Sequence, residues 1–480
     1  MHTDTPRIHW TIALIPLAVL IALQVLVIQR FGSDAIDGAS QTVLLFAAGV
    51  AVAIAMLFYK VPWKRIDGAI GDNIKTIGPA VLILFLIGAI SGSWMMSGVV
   101  PTMIYYGMKI LTPSLFLFMA CLICALVSLI TGSSWTTVAT VGIALIGIGT
   151  AHGFPVGWTA GAIISGAYFG DKISPLSDTT VLASSVGEVP LFEHIRYMLI
   201  TTVPSFVIAL IVFLVVSLTH TVTGSEQAVS FAEGLQNTFV ISPWLLLVPL
   251  VTGVLIALRL PAAVILFLSA LMAGLVMLFV QPDIVAHIGD GDRFRGLMLT
   301  YFSVTSLDTG NDALSSLVQT RGMKGMLSTV FLIFCASAFG GALTGGGMMQ
   351  SLTSALARGI SGRRSLVAST VGTGLFSNMA TGDQYLSIVL TGNIFKQLYK
   401  DKGFEGRLLS RSTEDSATVT SVLVPWNTCG MTQSTVLKVP TLDYLPYCFF
   451  NLISPLMSIT IAFIGYKIYQ QPKFQLQVQH

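Results

Sequence analysis

Gly170-Asp-Lys-Ile-Ser-Pro-Leu-Ser-Asp-Thr-Thr180 is the stretch that decides the fold. It ends a long run, from Ile110 to Gly170, without a single Asp, Glu, Lys or Arg, and apolar sequence resumes at Val181. Pro175 has no amide hydrogen and clashes with the preceding turn, so a helix through this segment must break there. At bilayer depth a break strands carbonyls and amides, each costing several kcal/mol unless protein, water or a ligand satisfies it. Here the break is crowded with Ser174, Ser177, Asp178, Thr179 and Thr180, with Asp171 one turn earlier.

A second stretch answers the first. Shifting the chain by 250 residues puts Pro175 on Pro425, in Val424-Pro-Trp-Asn-Thr-Cys-Gly430, and Ser177-Asp178 on Asn427-Thr428. The same shift aligns Thr131-Gly132 with Thr381-Gly382, Val189-Pro190 with Val439-Pro440, and Tyr197 with Tyr447. One offset recovered from separate segments indicates two homologous halves. The reading is a first repeat over 1–220, a connecting segment over 221–242 and a second repeat over 243–480. Each repeat carries a broken helix (158–187 and 408–437) and a hairpin (113–150 and 366–394) whose apolar arms fold about a polar tip. The hairpins read as re-entrant, with a pair of full crossings as the alternative for each.

Composition sets the frame. Of the 480 residues 54% are hydrophobic and only 10% are Asp, Glu, Lys or Arg, against about 25% charged in a typical soluble domain. Mean hydropathy is +0.81. A soluble enzyme, a nucleic-acid binder and a disordered chain are excluded, leaving an all-α polytopic membrane protein of about ten spans plus the two hairpins. The first apolar stretch, from Trp10, lacks a small-residue cleavage pattern, so no cleavable signal is expected. The five cysteines, including Cys121-Leu-Ile-Cys124, read as small core residues rather than a redox motif. No nucleophile–base pair, nucleotide loop or metal-ligand cluster appears in the apolar segments, so neither enzymatic activity nor a cofactor is expected.

Charge placement gives the orientation. Lys60, Lys64, Arg65 and Lys75 after the second apolar segment mark a cytoplasmic loop, and the amino terminus is then also inside. The connecting segment has no Lys or Arg and carries Glu226 and Glu233, which suits the outside. The uncharged loop 151–157 corresponds to the lysine-rich 396–407, so the halves have opposite orientations. Lys467 and Lys473 place the carboxyl terminus inside. Inverted repeats are an architecture of secondary transporters, with the substrate site where the two discontinuous helices meet.

The groups at that meeting point are nearly all hard oxygen donors. The first hairpin tip adds Ser133, Ser134, Thr136 and Thr137, and the second adds Thr381, Asp383 and Gln384. Hydroxyls, freed carbonyls and carboxylates suit a dehydrated alkali cation, not a soft transition metal. A buried carboxylate also suits a proton, because desolvation disfavours its charged form. A site that loses its proton to take up Na+ exchanges the two by competition. In this reading Asp178 is the principal competing carboxylate, with Asp171 or Asp383 modulating it. The blander alternatives are helix caps at Asp178 and Asp383, an Asp171–Lys172 pair, and a local pairing of Glu414 and Asp415 with Arg411. For Glu414 and Asp415 a proton relay stands beside that pairing.

These segments, together with Ala380-Thr-Gly-Asp-Gln-Tyr385 and Ser410-Arg-Ser-Thr-Glu-Asp-Ser416, resemble the signature segments of NhaC-type bacterial Na+/H+ antiporters. The resemblance covers most of the chain in order and spacing. It implies an inner-membrane exchanger serving pH homeostasis, a homodimer in the lipid bilayer, and an elevator-like shift. It carries ion-site roles onto Asp171, Ser177 and Asp178 in the first half and onto Asp383, Asn427 and Thr428 in the second. Related members exchange malate for lactate with Na+ and protons, so a small carboxylate is the rival substrate. Against that rival, Lys172 is the only plain midplane cation.

Overall fold

The computed structural model describes residues 8–31, 38–219, 225–258, 260–356, 360 and 362–468. Lys473, part of the orientation argument above, lies outside the described residues, as do residues 221–224 of the connecting segment. Among the described residues the molecule is nearly all helical, and strand-like pairing is limited to isolated bridge positions, such as that between Thr305 and Thr320. Eight helices among the described residues are long and apolar enough to cross a membrane, or up to ten if each of two sharply bent pairs is one span. This is a multi-pass membrane protein. Its outer helices keep large apolar side chains uncovered, among them Phe46, Leu57, Phe58, Leu218, Leu250 and Phe279, as surfaces facing hydrocarbon chains should. The basic stretch after the second span is not a loop but an amphipathic helix, Trp63–Thr76, laid against helix Leu327–Gly345.

Both breaks fall where the prolines put them. Helix Val156–Ile173 stops at Ser174 and the chain restarts as Asp178–Val186. In the second half, helix Gly406–Thr413 continues through a π turn, Glu414–Thr418, and a 3-10 turn, Ser421–Leu423, before restarting as Thr428–Leu437. The hairpins consist of arms Phe116–Thr131 and Ser134–Ala151, and of arms Arg363–Thr381 and Gln384–Asp401. In the first hairpin both arms are long enough to span.

Local geometry repeats at the offset of 250. Each hairpin turns on a glycine in the left-handed region, Gly132 at φ +65° and Gly382 at φ +65°. The next residue, Ser133 or Asp383, is an extended N-cap whose side chain accepts the amide hydrogen three residues on, from Thr136 or Leu386. Thr131 and Thr381 hold the turns alike, each donating to the carbonyl two residues later, at 3.2 and 3.0 Å. A Cβ on Gly132 would stand 2.7 Å from the carbonyl carbon of Leu176, and one on Gly382 would stand 3.2 Å from the carbonyl oxygen of Trp426. Each tip is therefore pressed onto the break of its own half. Glycine is required there both for its dihedral and for the close approach.

Candidate functional site

Each broken helix restarts with a capped amino terminus. Ser177 Oγ accepts from the amide of Thr180, and Asn427 Oδ1 accepts from the amide of Cys429. The first cap is therefore Ser177, not Asp178, which is left at the first helical position with its side chain exposed. Asp383 does act as a cap, and it also receives Thr428 Oγ1 at 3.4 Å. The lid of the second half is thus fastened to its broken helix by the carboxylate, and by the amide of Thr428 donating to the carbonyl of Gly382 at 2.8 Å.

In the first half the carboxylate comes from the other side of the joint. Asp171 is only 6% exposed. Its Oδ2 accepts the main-chain amide of Ser134 at 3.0 Å. Ser134, Thr136 and Ser177 are buried around it, with Ser133 half-buried at the tip. The lid and the break therefore meet at one buried carboxylate, with Asp178 exposed past the break. Asp383, Asn427 and Thr428 are buried at the equivalent joint. There the counterpart of Asp171 is Ser421, which donates to Gln384 Oε1 at 2.9 Å, and Gln384 is the counterpart of Ser134.

Asp171 does not pair with Lys172. The Lys172 ammonium points away to a fully buried ion pair with Asp415 in the other half, and also donates to Ser454 at 3.0 Å. Asp415 Oδ1 further accepts from Thr201 at 3.0 Å and Ser454 at 3.3 Å. Arg411 is also fully buried. Its Nε lies 3.9 Å from Asp415 and its guanidinium lies over the Tyr197 ring, yet it makes no hydrogen bond among the described residues. Glu414 points elsewhere, accepting from Thr179 Oγ1 at 3.3 Å.

Reading the sequence missed the Lys172–Asp415 bridge, although an intramembrane cation is itself a reason to search the other half for its carboxylate. It also gave no role to Asn378. That side-chain amide donates to the carbonyl of Ala417 at 2.7 Å and to Thr420 Oγ1 at 3.0 Å, and the Asn378 main-chain carbonyl receives Asn427. At the rim, Glu188 holds Lys396 at 2.7 Å and Lys400 at 2.6 Å. Hydrogen bonds from these two lysines lower its pKa to about 2.

Two discontinuous helices, each closed by a hairpin tip over buried oxygen ligands, define a secondary transporter of the broken-helix class. The family follows from comparison with known proteins. Residues 166–466 match the model of the Na+/H+ antiporter family, and the chain belongs to that family. It is 37% identical to the Na+/H+ antiporter NhaC of Bacillus subtilis (strain 168) over 422 residues, 88% of this chain and 91% of that one. It is 37% identical to the protein of the same name from Alkalihalophilus pseudofirmus over 419 residues, 87% of this chain and 89% of that one. It is also 35% identical to the malate-2H+/Na+-lactate antiporter of Bacillus subtilis (strain 168) over 405 residues, 84% of this chain and 85% of that one.

Proposed function

We propose that this chain sits in the bacterial inner membrane with both termini in the cytoplasm and exchanges cytoplasmic Na+ for external H+. Li+ is a second candidate cation. The carrying observation is the buried Asp171 carboxylate held by a lid amide at the end of a broken helix. Removing an anion from water costs several kcal/mol unless a cation or a proton accompanies it. A site that holds either, but not both, couples the two fluxes. Asp171 is the buried seat, Ser134 and Ser177 complete its shell, and the exposed Asp178 draws cations to the mouth. Asp383, Asn427 and Thr428 form the matching joint, which holds the second lid closed. Inverted halves moving as an elevator within a homodimer would present the site to each side in turn.

The test is proton movement in everted vesicles on addition of Na+, Li+ or K+. Na+-dependent alkalinisation that disappears in Asp171→Asn is the expected result, and an unaltered rate in that variant overturns the assignment. Asp178→Asn should weaken apparent Na+ affinity, and near-normal kinetics would remove it from the mouth.

A second reading has one observation in its favour. Arg411 is a buried cation with unused donors, the kind of group a small carboxylate would seek. One relative is named as a malate–lactate exchanger. Counterflow of labelled malate or lactate in proteoliposomes decides it, since uptake of either would extend the substrate beyond Na+ and H+.

A further inference from the structure

The two restarted half-helices have opposite surroundings. In Asp178–Val186 the side chains of Asp178, Val181 and Ser185 are exposed, and the stripe continues to Glu188 at the rim. The hairpin arm Gln384–Asp401 packs so closely beside it that a Cβ on Gly392 would stand 1.9 Å from Cγ1 of Val186. That arm exposes Tyr385, Asn393 and Gln397 along its length. An exposed carboxylate at bilayer depth faces water, not hydrocarbon, so the two stripes line a hydrated cleft. The cleft runs from the first joint to the salt bridges of Glu188 with Lys396 and Lys400, on the side of the basic 396–407 loop. Helix Thr428–Leu437 is different, because every one of its residues is buried or half-buried.

The outer end of Thr428–Leu437 is fastened. Lys438 follows it in the left-handed region, and its ammonium donates to the carbonyls of Leu317 at 3.0 Å, Ser316 at 3.5 Å, and Gln319. Ser316 and Leu317 lie in the last turn of helix Asp312–Val318, whose final carbonyls lack partners inside the helix and attract a cation. Asn311 ties this short helix to the connecting segment, donating to Ser230 Oγ at 3.2 Å. Leu317 also packs on the first hairpin, where a Cβ on Gly147 would stand 2.9 Å from its Cδ2. Asp312–Val318 therefore lies across the outer ends of the first hairpin and the second broken helix. Beneath it a cavity of about 10 Å³, bordered by Met95, Ile143, Leu317 and Leu437, has room for about one water. The seam is held at its edge while its floor is incompletely packed.

We propose that the structure is inward-facing and that Lys438 is the latch on its external side. The path to the seat is open toward the cytoplasm and stays shut toward the outside until the ammonium leaves the carbonyls of Asp312–Val318. This rests on the orientation and the exchange proposed above. Opening the external path requires Thr428–Leu437 to part from Asp312–Val318, and the latch stabilises only the closed arrangement. Its loss shifts the population toward the outward-open state.

The experiment uses the full-length chain in right-side-out and everted membrane vesicles with a membrane-impermeant maleimide. The five native cysteines are buried, so the reagent reports introduced thiols, with the unsubstituted chain as the blank. Ser185→Cys should react from the cytoplasmic face. Gln433→Cys replaces a buried amide that makes no hydrogen bond among the described residues, and it should stay silent from outside. Adding Lys438→Met, which keeps the length and removes the donors, should raise external labelling of Gln433→Cys at least about fivefold. The same change should slow cytoplasmic labelling of Ser185→Cys, and Lys438→Arg should preserve the original pattern. Unchanged labelling in Lys438→Met overturns the latch, even with a lower unfolding temperature, because the lysine would then only support the fold. Ser185→Cys that reacts from outside, or Gln433→Cys that reacts freely from outside with Lys438 intact, overturns the inward-facing assignment. The labelling needs no transport, so wild-type protein that moves no protons with Na+ overturns the exchange reading separately.

Discussion

The two joints share a backbone and differ in chemistry. At both, a left-handed glycine turns the lid, a threonine ties the turn, and a capped half-helix restarts after Pro175 or Pro425. At the first joint the buried carboxylate belongs to the broken helix and the lid answers with a main-chain amide, Asp171 to Ser134. At the second the carboxylate belongs to the lid and the broken helix answers with a hydroxyl, Asp383 to Thr428. The position equivalent to Asp171 is a serine engaged by Gln384. Even the turns after the restarted helices follow this rule. Glu188 and Lys438 adopt the same left-handed φ, +55° and +56°. The acid clamps two lysines, while the base donates to the carbonyls of Leu317 and Gln319. The two joints share what the breaks require geometrically and differ in where the charge resides, which suits the proposed division into a seat and a clasp.

The largest effect should come from neutralising the two carboxylates separately. Asp171→Asn should bring Na+-dependent proton flux in everted vesicles to background. Asp383→Asn keeps a competent cap and should leave measurable flux with a weaker apparent Na+ affinity. Equal losses would make the joints chemically equivalent and break the contrast. Next comes the bridge that spans the halves. Asp415→Asn leaves Lys172 buried without its counterion and should destabilise the detergent-solubilised protein by about 3–5 kcal/mol, read as a lower unfolding temperature. Glu414→Gln should not lower it.

Smaller losses follow from the caps. Ser177→Ala and Asn427→Ala should each cost about 1 kcal/mol of stability. Only the first should also reduce cation affinity, measured as the Na+ concentration giving half-maximal flux. A comparable affinity loss at Asn427 would extend the seat to the second joint. The smallest effect is at the rim. The Glu188 pKa is held near 2 against an ordinary 4.5, so its clamp is fully formed above pH 4.5 and is lost as pH falls toward 2. Glu188→Gln should remove a slight acid sensitivity of the unfolding temperature in that window, slight because the pair is solvated. A thermal shift profile from neutral to acid pH in the two proteins checks it.

Much of this was legible in the chain itself. A proline in an apolar run removes an amide and crowds the preceding turn, and at Pro175 and Pro425 the helix breaks, whereas Pro204 and Pro455 lie inside continuous helices. Two such cuts at one offset, with glycines and threonines in step, mark the paired joints and the oxygen-bearing side chains around them. Which acid lies buried was not legible. Asp171 and Asp178 stand on either side of the same proline, and only the packing of the first hairpin onto Leu176 covers one and leaves the other exposed. The partner of Lys172 was equally hidden. Local spacing offers it Asp171 and offers Arg411 to Asp415, yet the fold joins Lys172 to a carboxylate 243 residues away. Hydrophobicity and helix breaking act along the chain and can be read from it. Burial and ion pairing act between segments and exist only once those segments have met.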